Sequence, residues 1–257
     1  MIWLLLACTD PSGTNDSSES PWVQTWADEF DGEGAIDGDK WVHNLGGDGW
    51  GNNQLEFNTE RTENSRQVDG FLVIEAIEED YQGNSWTSAR ITTAEKFAQQ
   101  NGRFEAMIQL PEGAGMWPAF WMLGDNYQDV GWPNCGEIDI MEARGQAPTT
   151  TNAALHNPGG SGGDATYNSL TVTESLQDGL HLYAVEWDDD HISWFLDEQL
   201  VMTAHPGSIN GAWVYDHPFF MILNLAVGGN YVGDPDGSTP SSSKMFVDYV
   251  RVYERRP

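Results

Sequence analysis

Residues 136–145 read GEIDIMEARG and set three acids, Glu137, Asp139 and Glu142, close together in the chain. Acid and apolar residues alternate from Glu137 to Ile140, as on a strand with one wet face. Side chains two apart on a strand share a face, so Glu137 and Asp139 point the same way. Glu142 is out of phase with them unless one residue is absorbed, and Met141, which breaks the alternation, predicts a β-bulge that returns Glu142 to their face. Two positions effectively four apart on a strand have Cα atoms roughly 13 Å apart. Long glutamate side chains leaning together on a concave sheet reach a carboxyl separation of about 5–5.5 Å, the spacing for a nucleophile and an acid/base in retaining glycoside cleavage. Asp139, between them, is placed to hydrogen-bond the nucleophile and to hold the two glutamate pKa values apart.

Two other readings stay open on these ten residues alone. One is a solvated strand face. The other is a calcium site, since three carboxylates suit a hard cation. The surroundings favour a sugar site. Trp117 and Trp121 lie upstream in GMWPAFWMLG and Trp132 lies just before the acids. Their flat faces suit stacking on sugar rings, which in a neutral glycan offer little charge to grip.

The elements that carry these residues read as strands. In RFEAMIQLP, Phe104, Ala106, Ile108 and Leu110 share one face, and Arg103, Glu105, Met107 and Gln109 share the other. HLYAVEW and ISWFLD, separated by Asp188, Asp189, Asp190 and His191, suit a hairpin. FLVIEAIEE, FFMILNLAV and MFVDYVRVY are β-like, and no stretch carries a long, capped 3.6-residue period. The expected fold is all-β, with two stacked antiparallel sheets of the sandwich or jelly-roll kind.

Composition bounds the partners. The 257 residues include 40 acidic and 11 basic side chains, a formal charge of −29. Such a field repels nucleic acid, anionic headgroups and sulfated polymers, and leaves a neutral polysaccharide unaffected. Residues 1–8 read as a short leader in which LLAC resembles a bacterial lipobox. That reading makes Cys8 a lipidation site and the protein a secreted or cell-surface (outer-membrane) bacterial lipoprotein; a chance match is the alternative. Residues 9–21 (TDPSGTNDSSESP) read as a flexible tether. Residues 22–257 form one domain, and a monomer is expected. Cys8 and Cys135 are the two cysteines, so no disulfide framework or cysteine metal site is expected, and Cys135 reads as a packing residue.

GEIDIMEARG, together with WGNNQLEFNT (50–59), SARITTAEKF (88–97), WPAFWMLG (117–124), LNLAVGGN (223–230) and VDYVRVY (247–253), resembles glycoside hydrolase family 16. The resemblance runs from about Trp22 to Tyr253. The inserted Met and the NLAVGG segment are similar to the bacterial laminarinase branch, whose members cut β-1,3-glucan. The resemblance implies a concanavalin A-like jelly roll with the acids in a concave cleft. It implies retaining hydrolysis inside a β-1,3- or mixed-linkage glucan chain, with no cofactor for catalysis. Carried over by position, Glu137 is the nucleophile, Asp139 its assistant and Glu142 the acid/base, while Asn53, Arg90, Trp117, Trp121, Trp132 and His156 line the cleft. The resemblance also implies a structural calcium on the convex side, where Glu29, Gly70 and Asp248 fall at comparable positions. One departure is in the segment Asn52 to Phe57, where Gln54 and Glu56 have exchanged places relative to the usual pattern; this predicts altered sugar contacts at that end of the cleft. Competing expectations are a glucan-binding module without activity, a hydrolase of red-algal galactans, and transglycosylation of glucan.

Overall fold

The structure is a computed structural model that describes residues 20–257. The leader, Cys8 and all but the end of the 9–21 tether lie outside the described residues. Two sheets stack face to face. The site sheet has seven strands in the order Thr166–Thr171, Thr150–His156, Glu137–Ala143, Met116–Gly124, Phe219–Val227, Arg90–Thr92 and Val42–His43. The supporting sheet has ten strands, with Gly102–Gln109 and Ser242–Arg255 at its centre. The expected hairpin is present, as His181–Trp187 pairs with Ile192–Leu196. One pairing departs from the antiparallel expectation: Glu56–Asn58 runs parallel to Asn84–Ser88 at the edge of the supporting sheet.

The core lies between the sheets and follows the alternation in the sequence. Phe104, Ala106, Ile108 and Leu110 are buried from the supporting side. Phe120, Met122, Ile138, Ile140, Ala153, Leu155, Leu223 and Leu225 are buried from the site side. The central site strands read as continuous apolar runs because their outer faces are also covered. Trp117, Ala226 and Val232 form one small outer cluster, and Leu123, Cys135 and Ile222 form another. Cys135 is thus the buried packing residue expected. Among the described residues, no helix is long and apolar enough to cross a membrane.

One side chain of the expected calcium set, Glu29, is already engaged by an arginine. Both carboxylate oxygens of Glu29 accept from the Arg251 guanidinium, at 2.8 and 2.7 Å. A cation at Glu29 would have to displace that bidentate pair. Gly70 sits at the tip of the turn joining Ser65–Val68 to Phe71–Tyr81, at φ +81°, and Asp248 is the unmatched residue of a bulge between Val247 and Tyr249. Among the described residues, Glu137, Asp139 and His156 converge as metal-type side-chain ligands.

Candidate active site

The strand Glu137–Ala143 carries the predicted irregularity. Asp139 pairs with Ala154 and Glu142 with Asn152, so three steps on this strand match two on its neighbour. On the other side Asp139 pairs with Trp121 and Met141 with Phe120, which leaves Ile140 as the extra residue in that ladder. Ile140 and Met141 both point into the core. The bulge is therefore shared by the two: a second apolar side chain is buried, and Glu142 returns to the outer face beside Glu137 and Asp139. The indole N–H of fully buried Trp194, from the supporting sheet, donates to the main-chain carbonyl of Asp139 at 2.8 Å and satisfies it where the ladder is broken.

Each glutamate is held by a different tryptophan. Trp117 Nε1 donates to Glu142 Oε1 at 2.8 Å, and Trp132 Nε1 donates to Glu137 Oε2 at 2.8 Å. Gly136, at φ +74°, lets the chain swing from the Trp132 loop into the strand so that Trp132 can reach back; a Cβ there would press on Phe219. His156, opposite Glu137 on the neighbouring strand, sets Nε2 at 3.1 Å from Asp139 Oδ2 and 3.6 Å from Glu137 Oε1. Its Nδ1 accepts the main-chain N–H of Gly162 at 3.1 Å, so a neutral ring carries its proton on Nε2, facing the acids.

Burial raises the pKa of all three acids. For Glu137 the next cause is repulsion from Asp139, opposed by His156 and by the Trp132 hydrogen bond. For Asp139 it is repulsion from Glu142, opposed by a hydrogen bond with Glu137. For Glu142, burial is opposed first by the Trp117 hydrogen bond, then by the charges of His156 and Arg144. Three carboxyls this close, one buried and two only partly exposed, do not all ionise at neutral pH, and the cluster keeps at least one proton. Such a proton is what a general acid requires.

The remaining predicted residues gather along one side. Arg90 is sandwiched between the rings of Trp50 and Trp121, its guanidinium carbon 4.8 and 4.7 Å from their centroids. Burial pushes its pKa down to about 10, opposed first by the charge of Glu137. Trp121 Nε1 donates to Asn224 Oδ1 at 2.7 Å. Asn53 Nδ2 donates to Asn230 Oδ1 at 2.9 Å, tying the 49–54 loop to the loop after Phe219–Val227.

The expectation of three tryptophan platforms needs correcting. Trp132 presents an open face, 47 % exposed. Trp117 is buried against Tyr231, with ring centroids 5.0 Å apart, and works through its N–H; one face of Trp121 is taken by Arg90. The exchange of Gln54 and Glu56 is also not a change of sugar contact at position 56. Glu56 is fully buried beneath the loop, where its Oε2 accepts the Val227 N–H at 2.8 Å.

Several site residues escaped sequence reasoning. Asn152 Nδ2 donates to Tyr231 Oη at 2.6 Å and to the main-chain oxygen of Glu142 at 3.4 Å, and the Arg144 guanidinium stacks on Tyr231 at 4.2 Å. Trp194 and Trp50 belong with them. Their positions depend on which strands and loops meet, and only the aromatic type of Trp50, Trp194 and Tyr231 hinted at a role.

The comparison with protein families finds the Glycosyl hydrolases family 16 profile at residues 50–251. The chain belongs to this family. A beta-glucanase of Rhodothermus marinus is 39% identical, covering 98% of this chain and 92% of its own. Among solved structures, the catalytic domain of an endo-1,3-beta-glucanase (laminarinase) from Thermotoga petrophila RKU-1 is 40% identical with TM-score 0.86, covering 92% of this chain and 99% of its own. The endo-beta-1,3-glucanase of Pyrococcus furiosus is 41% identical with TM-score 0.87, covering 91% and 95%. Family 16 membership makes the sandwich a jelly roll, and family 16 glycosidases need no cofactor for catalysis. Glu137, Asp139 and His156 bring their metal-type ligand atoms within 4.8 Å of one another. Two carboxylates and an imidazole are a poor match for calcium, which takes roughly six to eight oxygen ligands.

Proposed function

We propose that the chain is a retaining endo-hydrolase of β-1,3-glucan. The observation that carries this reading is the pair Glu137 and Glu142, brought to one face by the bulge and each oriented by its own tryptophan N–H. Glu137 is the nucleophile. Each glutamate has one tryptophan donor and one nearby arginine, Arg90 for Glu137 and Arg144 for Glu142, and His156 acts on both, so the two roles rest on position in the family 16 acid motif. Glu142 keeps the proton and is the acid/base.

In the first step a Glu137 carboxylate oxygen attacks the anomeric carbon as its bond to the leaving glucan oxygen breaks. Glu142 gives its proton to that oxygen. In the second step Glu142 takes a proton from water, the water oxygen attacks the same carbon, and the ester to Glu137 breaks, restoring its carboxylate. Asp139 hydrogen-bonds Glu137 and carries part of the shared proton as the nucleophile's charge changes. Asn53, Arg90, Trp121 and Trp132 line the sugar path beside the acids.

The substrate reading rests on the relatives' activity and on the acidity of the chain, which disfavours polyanionic glycans. Reducing ends released from a panel of laminarin, mixed-linkage glucan, agarose and carrageenan test it. Laminarin should be cut fastest; a preference for a galactan would overturn the reading. Export with a lipid on Cys8 rests on LLAC alone, and intact mass of the cell-derived protein tests it.

A further inference from the structure

Side chains on the outer face of the site sheet line up in rungs. One rung runs Thr92, Ile222, Trp121, Asp139, Ala154 and Tyr167, each paired with the next. The acid strand thus has Trp121 one strand to one side and Tyr167 two strands to the other. Strands lie about 4.8 Å apart, which puts Tyr167 roughly 10 Å from Asp139. Between them stands only the methyl of Ala154, leaving a low passage flanked by His156 and Asn152 on the same strand.

Tyr167 is 70 % exposed, the most exposed large hydrophobic side chain among the described residues. Its neighbour on the same face, Ser169, donates to Asn152 Oδ1, and Asn152 in turn contacts Glu142. The edge strand is itself held down, since Asn168 Nδ2 donates to the Val201 carbonyl at 2.7 Å. An open aromatic face therefore ends a continuous, polar-flanked passage that starts at the acids. Nothing in its packing accounts for that exposure.

We propose that Tyr167 is a stacking platform for a sugar ring of the glucan chain, on the side of the acid strand away from Arg90. This rests on the β-glucan reading above. The platform acts only on chains long enough to reach from the acids across Ala154, and through the ring rather than the hydroxyl.

The test is binding to the cleavage-dead Glu137→Gln protein, followed by intrinsic fluorescence, with laminarihexaose and laminaribiose as probes. Adding Tyr167→Ala should weaken hexaose binding by roughly 3- to 10-fold, the range expected for one lost stacking contact. Biose binding should not change, and Tyr167→Phe should bind both probes like its parent. Unchanged hexaose binding in the Tyr167→Ala protein would overturn the platform while leaving the substrate reading intact. Equal weakening for both probes would also overturn it, because a distant platform cannot grip a disaccharide held at the acids. Failure of the Glu137→Gln parent to bind either probe would sink the substrate reading and the platform together.

Discussion

Trp194 Nε1 crosses the sandwich and ends 2.8 Å from the main-chain oxygen of Asp139. It joins the supporting sheet to the site sheet at the residue where the bulge begins. Replacing Trp194 with Phe keeps most of the packing and leaves a buried carbonyl without its donor. The expected loss is about 1–3 kcal/mol of stability, read from urea unfolding. Glycosidase activity measured well below the unfolding transition should also fall, because Asp139 and Glu142 flank the same bulge. Full activity in a destabilised Trp194→Phe protein would mean that the bulge keeps its shape without this bond.

The bulge sets the phase of Glu142, so changing the count should matter more than changing the side chain. Inserting one alanine after Met141 turns Glu142 to the core face or forces a second bulge. Loss of a positioned acid/base costs about 10²–10⁴-fold in rate. The insertion should fall in that range or below while circular dichroism stays that of a β protein. Deleting Met141 should be milder, since positions one, three and five of EIDIE still share a face. Near-native activity in the insertion variant would contradict the bulge's role.

Glu142 must hold its proton for the first step, and burial lifts its pKa above the usual carboxylate value. As pH rises through that lifted value the proton leaves and cleavage slows. The alkaline limb of kcat/KM on laminarin should therefore move to lower pH when a charge that competes with Glu142 is removed, as in Asp139→Asn, whose ionised form repels it. With an activated aryl leaving group, Glu142→Ala should lose the alkaline limb altogether. An unchanged limb in that variant would assign it to another group.

Glu56 offers a separate pH signature, in stability. Burial pushes its carboxyl up to about 7 from 4.5, opposed by the Val227 N–H. Below about 4.5 both folded and unfolded chains hold the proton, and the contribution of Glu56 is fully present. Between 4.5 and 7 the unfolded chain releases it first, so stability falls with rising pH, by on the order of 3 kcal/mol in all. Glu56→Gln removes this loss. The variant's stability relative to the parent should rise across that window and then level off. The same pH dependence in both proteins would contradict a buried, neutral Glu56.

Much of this was legible in the chain. Alternation in RFEAMIQLP named the core face of its strand, and the broken alternation at Met141 named the bulge, because both are local consequences of a two-residue period. The acids were legible for the same reason. The partners of the acids were not. Trp194 comes from the supporting sheet, and Asn152 and Tyr231 meet beside Glu142 only because their strand and loop are brought together there. The tryptophans were visible as types but not as roles: whether an indole offers its face or its N–H depends on what covers it, and Tyr231 covers Trp117. The Gln54/Glu56 exchange was visible, but the burial of Glu56 depends on a parallel pairing with Asn84–Ser88 that no local pattern marks.

The central claim is the division of labour between Glu137 and Glu142, and azide rescue tests it most directly. Azide is a small anion that can occupy the space of a missing carboxylate and attack from its side. In Glu142→Ala the glycosyl ester on Glu137 still forms from a substrate with a good leaving group, and azide then displaces it. The account predicts faster turnover with azide and a β-glycosyl azide, because two inversions restore the starting configuration. In Glu137→Ala azide replaces the nucleophile itself, and a single inversion gives the α-azide. An α-azide from Glu142→Ala, with a β-azide from Glu137→Ala, would exchange the two roles and contradict the account.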